Sequence, residues 1–186
     1  MRTLVLGGIR SGKSQWAEMA IAESTVAGQP VRYLATGAVP DGDADWSARI
    51  AAHRTRRPSH WTTIETVDVP TQLRSEVATP TLVDDIGGWL TAVMDHRGAW
   101  TTESPGSVAA DADDLIDAVG AFGSPLALVS PEVGLTVVPH TASGRRFADE
   151  LGSLNQRLAG LCDRVVLVVA GQPLTVKEPG RAESPR

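Results

Sequence analysis

Cysteine occurs once in this 186-residue chain, at Cys162. A disulfide within the chain needs two thiols and a thiolate zinc site needs several, so both are excluded. Leu158 and Leu161 lie beside Cys162, so a small buried hydrophobe is its expected role. Also missing is any apolar run approaching the roughly 20 residues with which a helix crosses a bilayer. The basic excess of a general nucleic-acid binder is absent too. Lys and Arg number 17 against 22 Asp and Glu, for a net charge of −5 and a pI near 5.3. No Pro/Gly/Ser-rich linker divides the chain and no segment repeats. One compact domain over residues 1–177 is therefore expected, with 178–186 as a flexible, charged, Pro-containing tail. The opening residues read as strand and loop, without the basic and apolar pattern of a leader, so the expected compartment is the cytoplasm.

What the chain does carry begins at its third residue. The apolar run Thr3-Leu4-Val5-Leu6 leads directly into Gly7-Gly8-Ile9-Arg10-Ser11-Gly12-Lys13-Ser14, which reads G-x-x-x-x-G-K-S. Glycines in such a loop let backbone N–H groups turn inward around phosphate oxygens. Lys13 would reach the terminal phosphates, and the Ser14 hydroxyl would ligate Mg²⁺. From Lys13 to about Glu23 there is neither Pro nor Gly, with Trp16, Met19 and Ala20 expected on one face. That stretch is the expected helix whose N-terminal dipole favours an anion. Strand, loop and helix in this order point to nucleotide binding.

Five short apolar runs are expected as strands buried on both faces: Thr3 to Leu6, Val31 to Ala35, Thr81 to Val83, Leu126 to Val129 and Val165 to Val169. Helical patterns lie between them, at about Asp43 to Arg54, Pro70 to Val77, Trp89 to Asp95, Ser107 to Ala121 and Arg145 to Leu161. The polar stretch from Arg97 to Gly106 reads as a surface loop. Alternation of this kind implies an α/β fold, a P-loop NTPase-like domain with a mostly parallel central sheet flanked by helices. Ligands in such sheets sit beyond the C-terminal ends of the strands.

Three clusters stand at such places. Asp84, at the end of the third run, could hold Mg²⁺ through water or simply cap the next helix. Asp84-Asp85-Ile86-Gly87 also satisfies the D-x-x-G of switch GTPases, but the N/T-K-x-D that reads guanine in those proteins is nowhere in the sequence. The second cluster runs from Arg49 through His53, Arg54, Arg56 and Arg57 to His60, with Trp61 and Glu65 following. Four arginines and two histidines within twelve residues form either a solvated helix end or a polyphosphate clamp around a nucleophilic histidine. The third, Ser130-Pro131-Glu132-Val133-Gly134, could bind a ligand hydroxyl or form a turn. Trp16, Trp46 and Trp89 are expected to pack rather than stack on a base, and His96 and His140 to lie on the surface.

Taken in order, these segments resemble the bifunctional adenosylcobinamide kinase / adenosylcobinamide-phosphate guanylyltransferase family. The matching pieces are GGIRSGKS with Ala17-Glu18, Tyr33-Leu34-Ala35-Thr36, Arg49-Ile50-x-x-His53 with Arg57-Pro58 and His60-Trp61, and then Glu65. Later come Asp84 with Trp89-Leu90, Glu132-Val133-Gly134, Val138-Pro139, Arg146-Phe147, Gly152 and Asn155-Gln156. The resemblance covers residues 1–177. It implies that a nucleoside triphosphate, ATP or GTP, phosphorylates adenosylcobinamide, and that GMP then passes from GTP to adenosylcobinamide phosphate through a guanylyl-histidine. By motif position that histidine is His53. The resemblance further implies Lys13 in catalysis, and nucleotide contacts from Gly7, Gly8, Ile9, Arg10, Ser11, Gly12, Lys13, Ser14, Thr36, Gly37, Arg54, Arg56, Arg57, Glu65 and Asp84. Mg²⁺ would rest on Ser14 and Asp84, and the assembly would be a homotrimer.

Two segments depart from the family's usual D-C-L-T and N-E-V-G. Here they read Asp84-Asp85-Ile86-Gly87 and Pro131-Glu132-Val133-Gly134. Two other readings share the phosphate loop: a small-molecule kinase in which His53 is structural, and a nucleotide-binding regulator without chemistry. Loss of GMP transfer in His53→Ala separates the transferase from both.

Overall fold

A computed structural model describes residues 1–37, 57–100 and 107–180. Seven strands form one sheet: β1 (Arg2–Gly7), β2 (Val31–Ala35), β3 (Trp61–Glu65), β4 (Thr81–Asp84), β5 (Leu126–Pro131), β6 (Arg164–Val169) and β7 (Gln172–Lys177). Five helices are seen among the described residues: α1 (Lys13–Glu23), α2 (Val69–Ser75), α3 (Ile86–Arg97), α4 (Ala109–Ala121) and α5 (Ala142–Leu161). The strand order is β3-β2-β4-β5-β1-β6-β7, parallel throughout except for β7 against β6. The expected α/β architecture is therefore the observed one. No helix among the described residues is long and apolar enough to cross a membrane.

The central strands are apolar at nearly every position because the pleat sends alternate residues into two different cores. Leu4, Leu34, Val83 and Leu128 face one way, into a cluster with residues of α2, α3, α4 and α5. Their neighbours Val5, Tyr33, Leu82 and Val129 face the other way, against Ala17 and Ile21 of α1. The two cores lock the register of every inner strand, since a one-residue slip would exchange the two sets. Cys162 closes α5 within the first core, and burial pushes its thiol up to about 12.

Several expectations shift. The buried face of α1 is Ala17 and Ile21, whereas Met19 is half exposed and Trp16 sits at the rim beneath the Arg164 guanidinium. The small Ala17 lets the helix lie close to the sheet. Three helices begin earlier than apolar spacing alone suggests, because Asp68, Asp85 and Thr141 cap them. Trp89 is packed in the core, and His96 and His140 are exposed. The expected helix over 43–54 and Trp46 lie outside the described residues. So do 101–106 of the expected surface loop and 181–186 of the tail.

Candidate active site

At the end of β1 the backbone turns sharply. A Cβ at Gly7 would stand 2.4 Å from Ser11 Oγ and 2.7 Å from the Val168 carbonyl oxygen, so only glycine fits. Arg10 and Gly12 take the left-handed conformation (φ 57° and 94°), which turns the loop around its own interior. The Ser11 amide donates to the Gly8 carbonyl (3.3 Å), and the Gly171 amide braces the loop from outside through the Ser11 carbonyl (2.8 Å). Gly12 lies so close to the β6–β7 turn that its Cβ would be 3.3 Å from Gly171 Cα. Ile9 and Arg10 are exposed at the loop tip.

Three features suit this loop to phosphate. Helix α1 starts without a side-chain cap and has no acidic residue in its first turn, leaving its N-terminal amides and dipole for an anion. Ser11 Oγ is buried without a hydrogen-bond partner, an expensive arrangement unless an oxygen completes it. Lys13 curls back so that Nζ is 3.5 Å from the Gly8 carbonyl, over the space the amides enclose.

Beside the loop, α1 leans across β5 to meet the end of β4. The Ser14 hydroxyl donates to Asp84 Oδ1 at 3.3 Å, and the buried Tyr33 hydroxyl donates to Asp84 Oδ2. A hydroxyl and a carboxylate converging beside a phosphate cradle are the hard oxygen donors that Mg²⁺ takes, with phosphate oxygens and water completing the shell. The capping role left open for Asp84 falls instead to its neighbour. Asp85 accepts from the Gly88 amide at 2.7 Å. Burial, and then the charge of Asp84, push the Asp85 carboxyl above its ordinary range.

Behind Tyr33 lies Arg57, its guanidinium carbon 3.3 Å from the ring centroid. Arg57 also donates to Thr63 Oγ1 at 2.9 Å and pairs with Glu18 at 3.9 Å. Burial, above all, and the proximity of Asp84 hold the Tyr33 phenol far above its usual range, so it stays a donor. Thr36 is buried, and its hydroxyl donates to the Asp85 carbonyl at 2.5 Å, while Gly37 packs against Gly88. Glu65 ends β3, four strands from β1 along the same edge.

The two departing segments touch one another. A Cβ on Gly87 would stand 2.8 Å from Pro131 Cγ, so a proline at the end of β5 goes with glycine in the first turn of α3. Pro131 is held further by Asn155, whose Nδ2 donates to its carbonyl at 3.0 Å and whose Oδ1 accepts from buried Ser130 at 2.7 Å. Glu132 makes a turn, its Oε1 accepting from the Gly134 amide at 2.6 Å.

Thus Gly7 to Ser14 and Asp84 come together, with Thr36 and Gly37 packed behind the Asp85 end. Glu65 stands apart, and Arg57 is engaged with Tyr33, Thr63 and Glu18. His53, Arg54 and Arg56 lie outside the described residues. Tyr33 and Glu18 were not among the expected site residues. Their available signal is slight: Glu18 is one helical turn beyond Ser14, and Tyr33 is the chain's single tyrosine.

A phosphate loop between β1 and α1, with a strand-end carboxylate reached across one intervening strand, defines a P-loop nucleotide-binding fold. Among solved structures, an ATPase from the type III secretion system of pathogenic bacteria shares this fold. It superposes with a TM-score of 0.56 at 14% identity, over 89% of this chain and 50% of that one. The chain belongs to the cobinamide kinase / cobinamide phosphate guanyltransferase family, whose model matches residues 3–176. It is 41% identical over 180 residues to the bifunctional adenosylcobalamin biosynthesis protein CobP of Pseudomonas aeruginosa, covering 95% of this chain and 98% of that protein. To the bifunctional protein CobU of Escherichia coli K12 it is 33% identical, over 95% and 100% of the two chains.

Proposed function

We propose that this enzyme of cobalamin biosynthesis uses one phosphate cradle for two transfers. In the first, a nucleoside triphosphate, ATP or GTP, phosphorylates the aminopropanol hydroxyl of adenosylcobinamide. In the second, GTP gives GMP to adenosylcobinamide phosphate. The observation that carries the reading is the uncapped start of α1, with Lys13 curled toward the Gly8 carbonyl and Ser14 on Asp84, in a chain of this family. Loop amides and Lys13 hold the terminal phosphates and stabilise the charge that develops on them. Ser14 and Asp84 would hold Mg²⁺, which when bound neutralises phosphate oxygens.

For the second transfer, an imidazole nitrogen of His53 attacks the α-phosphorus of GTP. A P–N bond forms, the bond to the bridging oxygen breaks, and pyrophosphate leaves. A phosphate oxygen of adenosylcobinamide phosphate then attacks the same phosphorus, the P–N bond breaks, and adenosylcobinamide-GDP departs with the histidine restored. Arg54 and Arg56 would offset charge on the leaving pyrophosphate, whereas Arg57 is turned to Tyr33, Thr63 and Glu18. Thr36, Gly37 and Glu65 would add contacts to the nucleotide, as the family resemblance implies. The working unit is residues 1–177, with 178–186 as a tail, acting as a homotrimer in the cytoplasm.

Intact-protein mass after incubation with GTP, Mg²⁺ and pyrophosphatase tests this reading. The expected gain is one GMP, acid-labile and absent from His53→Ala. A protein that binds GTP yet gains no mass would remove His53 from catalysis and leave a plain kinase or a binder.

A further inference from the structure

Five side chains close a ring around the end of β4. Ser14 meets Asp84, Asp84 meets Tyr33, Tyr33 lies under Arg57, and Arg57 pairs with Glu18. Glu18 is one turn from Ser14 on α1, so the ring returns to the helix on which it began. We propose that Tyr33 is a positioning residue for the divalent cation, holding Asp84 so that one carboxylate oxygen stays turned toward Ser14 and the phosphate cradle. The inference rests on the function proposed above.

Physical reasons favour orientation over mere filling of space. A carboxylate at a strand end can rotate about its side-chain bonds. A donor on Oδ2 with a second group near Oδ1 selects one rotamer before any ligand arrives. Tyr33 is 1% exposed and pairs with Leu82 across neighbouring β2 and β4, which sets Asp84 two residues further along the same face. Its hydroxyl therefore cannot drift as a surface side chain would. Arg57 over the ring face places a cation against the aromatic quadrupole, which draws electron density from the phenol and strengthens the O–H as a donor. Glu18 and Thr63 fix the guanidinium in that place. The partners that orient metal-ligating carboxylates typically change metal affinity by about 10- to 100-fold when lost.

The test uses the full chain with Mn²⁺ as the cation and an α,β-methylene analogue of GTP, reading bound Mn²⁺ by electron paramagnetic resonance. For Tyr33→Phe, Mn²⁺ affinity in the nucleotide complex should fall by about tenfold, while nucleotide affinity without metal stays unchanged. Unchanged Mn²⁺ affinity in a folded Tyr33→Phe protein would make the hydroxyl structural only and overturn the proposal. Arg57→Met keeps the phenol and removes the cation, and serves if Tyr33→Phe does not fold. A fall of about threefold is expected for the loss of one cation–π contact, and no change overturns the ring. Wild-type protein that binds nucleotide but no Mn²⁺ would overturn both this inference and the proposed metal site. Failure of GMP transfer alongside a weakened Tyr33→Phe site would sink only the transferase reading.

Discussion

Adjacent aspartates at the end of β4 divide two tasks that a sequence cannot apportion. Asp84 turns to Ser14 and Tyr33, and Asp85 caps α3 through the Gly88 amide. The cap costs more than a surface cap does, because Asp85 is partly buried and stands beside another carboxylate. Its carboxyl titrates above the ordinary range for those two reasons. Below the ordinary aspartate value, near 3.9, Asp85 is protonated in both folded and unfolded chains and imposes no penalty. As pH rises, the unfolded chain ionises first, so folding loses stability until the raised folded value is passed, and the loss is constant above it. Asp85→Asn keeps a side-chain acceptor for the Gly88 amide but carries no charge. Melting curves without nucleotide should show it stabilised at pH 8. The gain should shrink toward zero at pH 4. An equal gain at both pH values would place the effect in packing rather than charge.

At the scale of elements, the sheet shows why some strands are legible and others are not. β1, β2, β4, β5 and β6 sit inside the sheet, so both faces are buried and the sequence is a solid apolar run. The two unforeseen strands, β3 and β7, are the two edges. Trp61-Thr62-Thr63-Ile64-Glu65 and Gln172-Pro173-Leu174-Thr175-Val176-Lys177 mix polar with apolar residues because much of each remains exposed. In the site, the phosphate loop and Asp84 were readable because a motif states them within a few residues. The Tyr33, Arg57 and Glu18 contacts were not, since sheet order alone joins residues so far apart in the chain. The touching of Gly87 and Pro131 was hidden in the same way, and it makes a testable pair. Glycine to alanine within a helix usually gains about 1 kcal/mol. Here a Cβ would meet the Pro131 ring at 2.8 Å, so Gly87→Ala should instead destabilise by roughly 1–3 kcal/mol. Adding Pro131→Ala should recover about 1–2 kcal/mol of that loss, a coupling that urea unfolding of the four proteins measures. Additive losses would mean that α3 shifts to accept the methyl group without help from Pro131.

At the scale of the whole molecule, the phosphate loop and the single thiol lie in different parts of one cooperative structure. The loop is braced by the Gly171 amide at the end of β6. Cys162 stands just before the start of that strand, closing α5 in the core shared by four helices. With its thiol pushed up to about 12 and 1% of its surface exposed, Cys162 is neither ionised nor reachable at neutral pH. A disulfide reagent should therefore label it only through opening that lifts α5 from the sheet. If that opening also dismantles the phosphate loop, nucleotide will oppose it by mass action. At a GTP concentration 100 times Kd, the folded state gains about 2.7 kcal/mol, and the labelling rate should fall by about 100-fold when reclosing is fast. The rate would be followed by absorbance of the released thiolate, with and without GTP. A rate indifferent to GTP would show that the end of α5 frays alone, leaving the loop intact. The graded effect of nucleotide on one buried thiol thus measures how far the stability of the β1 loop is shared with the opposite face of the sheet.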